Sequence, residues 1–587
     1  VGYRSLLTST GNSNTAVGYE SGTAVTTGIQ NTLIGALAGD ALTDADFNVA
    51  IGMQALTADT LGSRSIAIGH GALETQNFTT ATDSYNVAMG FKAGNLLTTG
   101  INNTLIGGLA GDAITSAYNN VAVGFTSLSA NTVGSKSVAL GNFTLAAQNP
   151  ATATAMFNTA VGHEAGLAVT TGTMNTLIGG LAGDALTTGQ YNVAIGVDAL
   201  SVEDTASKSV AVGTSALAVQ NAGTVDAYNV AVGHNSGVNV TSGIQNTIIG
   251  GLAGDALTDA DNNVSIGFGS LSVDTLGSAS TALGTFALNA QAFTTATSSY
   301  NTAVGYNSGA AVTTGIENTL IGALAGDALS DADYNVAIGS QALSSDTLGS
   351  RSVAVGQSAL FTQNFTTATI AYNTAVGMNA GVGVTTGIQN TLIGSLAGTR
   401  GADVTTGNNN ILIGYLTGTA ESNALNQFVI GVNVSGGENE QITIGTSAGV
   451  VQNEFDTDAA WTRTSDVRLK TDIADATLGL DFINDLRTVT YKWKASNDLD
   501  QNDPHLEKLY NSENQMNTTT TMHGLIAQEV KTALDTAGVD TFKGWKENPD
   551  GVQNISREMY VIPLIKAVQE LSTALDAALA RITTLEG

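Results

Sequence analysis

The chain has no cysteine among its 587 residues and only 4 prolines. Without thiols there is no disulfide scaffold, no thiolate metal site and no cysteine nucleophile. Aromatic residues make up 5% and charged residues 12%. Positive charge is scarce: 20 Lys+Arg stand against 49 Asp+Glu, a formal net charge of −29. Clustered Lys and Arg are what grip a phosphate backbone, so no nucleic-acid partner is expected. No apolar run reaches the ~18 residues of a membrane-spanning helix, so no membrane insertion is expected. Val1-Gly2-Tyr3-Arg4 has no signal-peptide pattern and reads as the tail of a repeat begun earlier. The expectation is a native chain extending further N-terminally.

What the chain does have is 69 glycines, with much Ala, Thr and Asn. This composition predicts a thin repetitive structure rather than several large cores. Self-similarity bears that out within the sequence. A five-residue unit reads NTAVG at Asn14, NTLIG at Asn31, NVAIG at Asn48 and SIAIG at Ser65, then restarts at Asn86. Spacings of 17, 17, 17 and 21 residues (once 20) build a super-repeat of 72 residues (once 71). After Asn390 the register loosens through Asn410, Gln427 and Gln441.

Each unit is too short for a strand and a helix, and its glycine interrupts a helix. The apolar triplet fits a short strand with Val49 and Ile51 on one face and Ala50 on the other. Stacked rungs give a parallel β-roll or solenoid, each burying its face against its neighbours. At about 4.8 Å per rung the shaft is roughly 120 Å long. The small residue is expected on the outward face, packed closely against something. A structure this narrow buries little surface, which favours oligomerisation.

Three recurring polar features admit a site reading. The rung Asn either forms a ligand-facing ladder or is a turn residue that bonds its own backbone and stacks on its neighbours, and the second is the expectation. The pairs Asp44/Asp46, Asp259/Asp261 and Asp331/Asp333 resemble calcium ligands. The equivalent loops at Ser116-Ala117 and Thr188-Gly189 lack both acids, so solvated turns are expected. His163 and His234 stand four rungs, about 19 Å, apart, too far to share a metal. Neither a metal nor a cofactor is expected, and no paired carboxylates stand out as a glycosidase site.

The shaft pattern, over residues 1–446, resembles the β-roll heads of trimeric autotransporter adhesins and the similar repeats of phage tail fibres. That resemblance implies an intertwined homotrimer with a left-handed roll. The unit of 17 residues is longer than the adhesin unit.

Composition changes after about Val450. All three Trp and 13 of the 20 Lys+Arg lie beyond it. Val561, Leu564, Val568, Leu571, Leu575, Ala578, Ile582 and Leu585 alternate spacings of 3 and 4, an a/d seam. A C-terminal coiled-coil helix over 561–587 is expected. Before it come Thr464-Ser465-Asp466-Val467-Arg468-Leu469-Lys470, then LGLDFINDLRTVTYKWK (Leu478–Lys494), then His523-Gly524-Leu525-Ile526-Ala527-Gln528-Glu529-Val530.

In this order the segments resemble the C-terminal intramolecular chaperone of phage endosialidases, tailspikes and tail fibres. The resemblance implies a small α+β chaperone domain over 465–560, joined to the shaft by a linker over 447–464. It implies a Ser–Lys dyad, with Ser465 as nucleophile and Lys470 as general base, cutting the Thr464–Ser465 bond. A Ser hydroxyl needs a nearby base, and a Lys serves if burial lowers its pKa. The enzyme activity expected is a single autoproteolytic turnover with no external substrate. Asp466, Arg468, His523, Gln528 and Glu529 match family positions; Arg468 and Glu529 are expected to hold the domain together, and His523 to tune Lys470 or to cap a strand.

The resulting expectation is a mainly β, homotrimeric fibre of a phage tail, in the virion, contacting a glycan or outer-surface protein as host receptor and joined to other tail proteins through a missing N-terminal part. The alternative is a bacterial cell-surface adhesin. Near-identical rungs can pair out of register, so a domain that trimerises first fixes the register, and cleavage then traps the product.

Overall fold

The computed structural model describes residues 1–454, 465–504, 506, 509–514 and 516–587. The chain divides into two units, 1–464 and 465–587.

The first unit is a parallel β-solenoid. Its main sheet has 26 strands, nearly all three residues long, and only the last runs antiparallel. Register follows the repeat: Thr32 pairs with Val49 and Val49 with Ile66. Each rung turns at a glycine with extended positive φ, such as Gly52 at +138°.

The alternation within the strand is as expected, but the faces are reversed. Ala50 points into the core and is fully buried, whereas Val49 and Ile51 lie on the outer face, half-buried. The lumen sets this. Inward residues of the strand meet inward residues of the opposite turn, and a large residue on one side faces a small one on the other, except where, as at Ala88 and Gly94, both are small and Leu73 and Leu105 of the adjoining rungs fill the space. In the Ala50 rung the opposite residue is the buried Leu56. In the Leu33 rung it is Gly39, where a Cβ would lie 2.9 Å from the Leu33 side chain. The larger β-branched residues are therefore displaced outward. Val17, Ile34, Leu140, Ile249 and Ile393 are among those that make the outer face apolar from one end of the sheet to the other.

The rung Asn is buried rather than ligand-facing and stacks on its neighbours as expected, but its hydrogen bonds run chiefly to the adjoining rungs rather than to its own turn. Asn31 and Asn48 are fully buried. Asn31 Oδ1 accepts the Asn48 backbone N–H at 2.9 Å, and Asn48 Oδ1 accepts that of Ser65 at 2.9 Å. Asn48 Nδ2 donates to the Gly62 carbonyl at 2.9 Å. The ladder satisfies main-chain groups at a buried corner, where an unpaired amide is costly.

Every fourth rung replaces this Asn with Ser and lengthens the following loop. The two changes are linked. Gln76 enters the space the shorter Ser65 leaves, donating to Ser65 Oγ at 2.8 Å and accepting from Asn86 Nδ2 at 2.9 Å. Gln148, Gln220, Gln291 and Gln363 bond Ser137, Ser209, Ser280 and Ser352 in the same way. Gln76 also donates to the buried Asp59 at 2.6 Å.

Residues Gly449–Glu454, expected to be linker, form a strand antiparallel to Gln441–Thr446. This hairpin covers an edge whose N–H and C=O groups would otherwise be unpaired.

The second unit is α+β. Helices α1 (Leu480–Asp485), α2 (Ala527–Thr536) and α3 (Val561–Glu586) accompany two antiparallel pairs, Val489–Tyr491 with Met522–Gly524 and Trp545–Glu547 with Gln553–Ile555. Its core gathers Leu478, Phe482, Val530, Ala533, Leu534 and Tyr560. Phe482 stacks on Tyr560, and burial pushes the Tyr560 hydroxyl up to about 12. Glu570 of α3 accepts the Leu480 backbone N–H at 2.7 Å, capping α1 from the long helix. No described helix is long and apolar enough to cross a membrane.

Candidate active site

The residues expected to cut the chain lie on one tight turn. Asp466 caps a 3-10 turn over Val467–Leu469, its Oδ1 accepting the Arg468 backbone N–H at 2.8 Å. The Arg468 guanidinium returns to the same carboxylate, Nη2 to Oδ2 at 2.5 Å. These bonds hold the Asp466 carboxyl below the usual range. The turn reverses the chain and brings Lys470 back over Ser465, with Lys470 Nζ donating to Ser465 Oγ at 2.5 Å. Five residues apart in sequence, nucleophile and base candidates are thus in direct contact. Thr464, the other side of the expected cleavage bond, lies outside the described residues.

Both Ser465 and Lys470 are exposed. The burial that a neutral lysine base requires is therefore not supplied by this chain alone.

The other residues matched to the family pattern are dispersed. Arg468 clamps its own turn. Glu529, at the start of α2, accepts two hydrogen bonds from Arg487, one of them at 3.0 Å from Nε. That pair lowers the Glu529 carboxyl and ties α2 to the chain entering the Val489–Tyr491 strand. Sequence reasoning missed Arg487, since nothing local marks an Arg 42 residues before its partner. Gln528 lines a cleft with Arg487, Tyr491, Trp493 and Arg557. His523 sits within its strand opposite Thr490 and faces a neighbouring cleft with Arg557 and Tyr560. No described contact joins His523 to Lys470.

In the shaft, the acid pairs serve as acceptors between rungs. Asp46 Oδ1 takes the Ile29 N–H at 2.7 Å, Asp261 that of Ile244 at 2.8 Å and Asp333 that of Ile316 at 2.8 Å. Asp44 accepts from Thr27. Among the described residues no group of three His, Asp or Glu could hold a metal ion. His70 stacks on Phe91 at 5.5 Å, and Phe143 meets His163 edge-on at 6.2 Å, so these positions stack rings along the shaft.

No curated protein and no solved structure matches the chain. Residues 465–539 match the model of the peptidase S74 family, described as the chaperone of endosialidase, and that match begins at Ser465 itself. The chain thus joins a parallel β-solenoid shaft to a C-terminal segment that matches the endosialidase-chaperone family.

Proposed function

We propose that the chain is one subunit of a homotrimeric phage tail fibre that contacts a host surface, and that its C-terminal domain drives trimerisation and then cuts the Thr464–Ser465 bond. The observation that carries this reading is the Lys470 Nζ–Ser465 Oγ contact on a turn at the edge of the matched segment. As a neutral amine, Lys470 takes the hydroxyl proton and the Ser465 oxygen attacks the Thr464 carbonyl carbon. The carbon–nitrogen bond breaks, the Ser465 nitrogen takes up a proton, and water hydrolyses the ester that remains. The exposure of the dyad in one chain ties this chemistry to assembly, because partner chains covering the turn would desolvate Lys470.

Two unpartnered surfaces support self-association. The outer face of the main sheet carries an apolar side chain at every rung, beside a Thr at rungs such as Thr15, Thr32 and Thr104, and a contiguous apolar strip of that kind marks an interaction surface. The α3 seam is likewise exposed, with Leu571 at 55% and Leu575 at 58%.

Intact mass of the full chain tests the reading beside Ser465→Ala and Lys470→Met. The expected result is pieces 1–464 and 465–587 from the unaltered protein and an uncut chain from either variant. An uncut unaltered protein would mean that the domain is a permanent trimerisation cap.

A further inference from the structure

One column of residues runs up the shaft just before each strand, held at positive φ in every rung: Gln30, Phe47, Arg64, Tyr85 and onward. At the lengthened rungs this column collects most of the shaft's positive charge. Only seven Lys and Arg precede residue 455. Four of them, Arg64, Lys136, Lys208 and Arg351, occupy the same place in four of the five super-repeats, and Ala279 takes it in the other.

Each cation lies against an aromatic ring. Arg64 is 4.8 Å from the Phe47 ring centre, Lys136 5.0 Å from Phe157, Lys208 5.0 Å from Tyr228 and Arg351 4.5 Å from Tyr334. The residue one rung after the cation is aromatic in all five super-repeats: Tyr85, Phe157, Tyr228, Tyr300 and Tyr372. These rings remain 49–60% exposed. Arg64 and Lys208 also hold carboxylates, Asp83 at 3.0 Å and Asp226 at 2.6 Å. Around Arg351 the groups line a cleft of about 290 Å³ that includes Asp333, Tyr334, Ser350 and Thr369.

A cation on a solvated ring adds little stability, so packing alone does not account for large exposed rings in a chain so poor in aromatics. The surface suited to a second copy is the uniform sheet face, whereas these stations recur only at every fourth rung. An apolar ring beside fixed donors and acceptors is what a sugar ring needs: its carbon face stacks, and its hydroxyls meet the cation, carboxylate and hydroxyl groups.

We propose that the stations bind an uncharged polysaccharide laid along the shaft. A polyanion is disfavoured by the net charge of −29. Successive stations are about 19 Å apart at ~4.8 Å per rung, so one polymer engages several weak sites together. The inference rests on the reading of the chain as a fibre that meets a host surface.

The full-length protein is run in native gels containing dextran, mannan, arabinogalactan or the polyanion alginate. At least one neutral polymer is expected to retard it. Combined Tyr85→Ala, Phe157→Ala, Tyr228→Ala, Tyr300→Ala and Tyr372→Ala is expected to weaken retardation by about tenfold or more, as loss of avidity implies. Ala279→Arg, which completes the fourth station, is expected to strengthen it. The proposal is overturned if no neutral polymer retards the protein, if only alginate does, or if the five-ring variant migrates like the unaltered chain. It is also overturned if that variant sediments at a lower mass, which would place the rings between copies. Sedimentation mass and cleavage of the unaltered protein are read in the same samples. A monomeric, uncut protein that is still retarded sinks the fibre reading and leaves the polysaccharide site standing.

Discussion

Glycine governs the shaft at the scale of single residues. A Cβ at Gly52 would lie 2.4 Å from the Gly69 carbonyl oxygen, at a φ of +138° that L side chains rarely adopt. Gly52→Ala is expected to cost roughly 2–4 kcal/mol. The midpoint of denaturant unfolding reads this, and an unchanged midpoint would mean that the rungs can part without loss. The Ser465–Lys470 pair is equally local, since a single capped turn joins the two. The pair was legible through its resemblance to the family motif, not through its spacing alone. The Ser65–Gln76 bond was not, although Ser and Gln recur 11 residues apart in every lengthened rung. Its meaning depends on a coil that closes only when the rungs stack.

Among the elements, the strand and the long helix contrast. A three-residue strand has two faces, and its pattern says only that they differ. Which face enters the lumen is decided by the space opposite, and the lumen admits Ala50 and excludes Ile51. The helix carries its own answer. Its Pro563 and Ala567 are buried, while the a/d seam lies exposed. On the proposed trimeric assembly, Leu571→Asp combined with Leu575→Asp is expected to leave the protein monomeric in sedimentation and uncut. A trimer that survives both charges would relocate assembly to the sheet face. The closing hairpin at Gly449–Glu454 had no repeat signature, because it exists to finish the sheet rather than to extend it.

Across the whole molecule, charge is the dominant quantity. Burial raises the carboxyls of Asp40, Asp59, Asp112, Asp184, Asp255 and Asp327 above their ordinary value. An acid with a raised folded-state pKa favours the folded state when protonated, and that contribution is lost as pH rises through the raised value. Self-repulsion within the acidic chain acts in the same direction. The melting temperature is therefore expected to rise as pH falls from neutrality toward the ordinary carboxylate range of ~4. Asp59→Asn, which copies Asn131 of the next super-repeat, is expected to flatten that slope without unfolding the shaft. A melting temperature that falls steadily over this window would show that the hydrogen bonds these carboxylates accept outweigh the cost of burying them.

Beside the Ser465–Lys470 dyad, which the family resemblance supplied, the amino-acid sequence by itself determined the rung, the super-repeat, the acidic character and the helical seam. All of these are periodic or local, and each is set by spacings within a few dozen residues. Only the tertiary structure decided which strand face is buried, where the Asn ladder bonds, why Ser and Gln change together, and that arginines and lysines alternate with rings along one edge. Those depend on atoms brought together across the coil or from one turn to the next, 11 to 21 residues apart in the hydrogen bonds but neighbours in space.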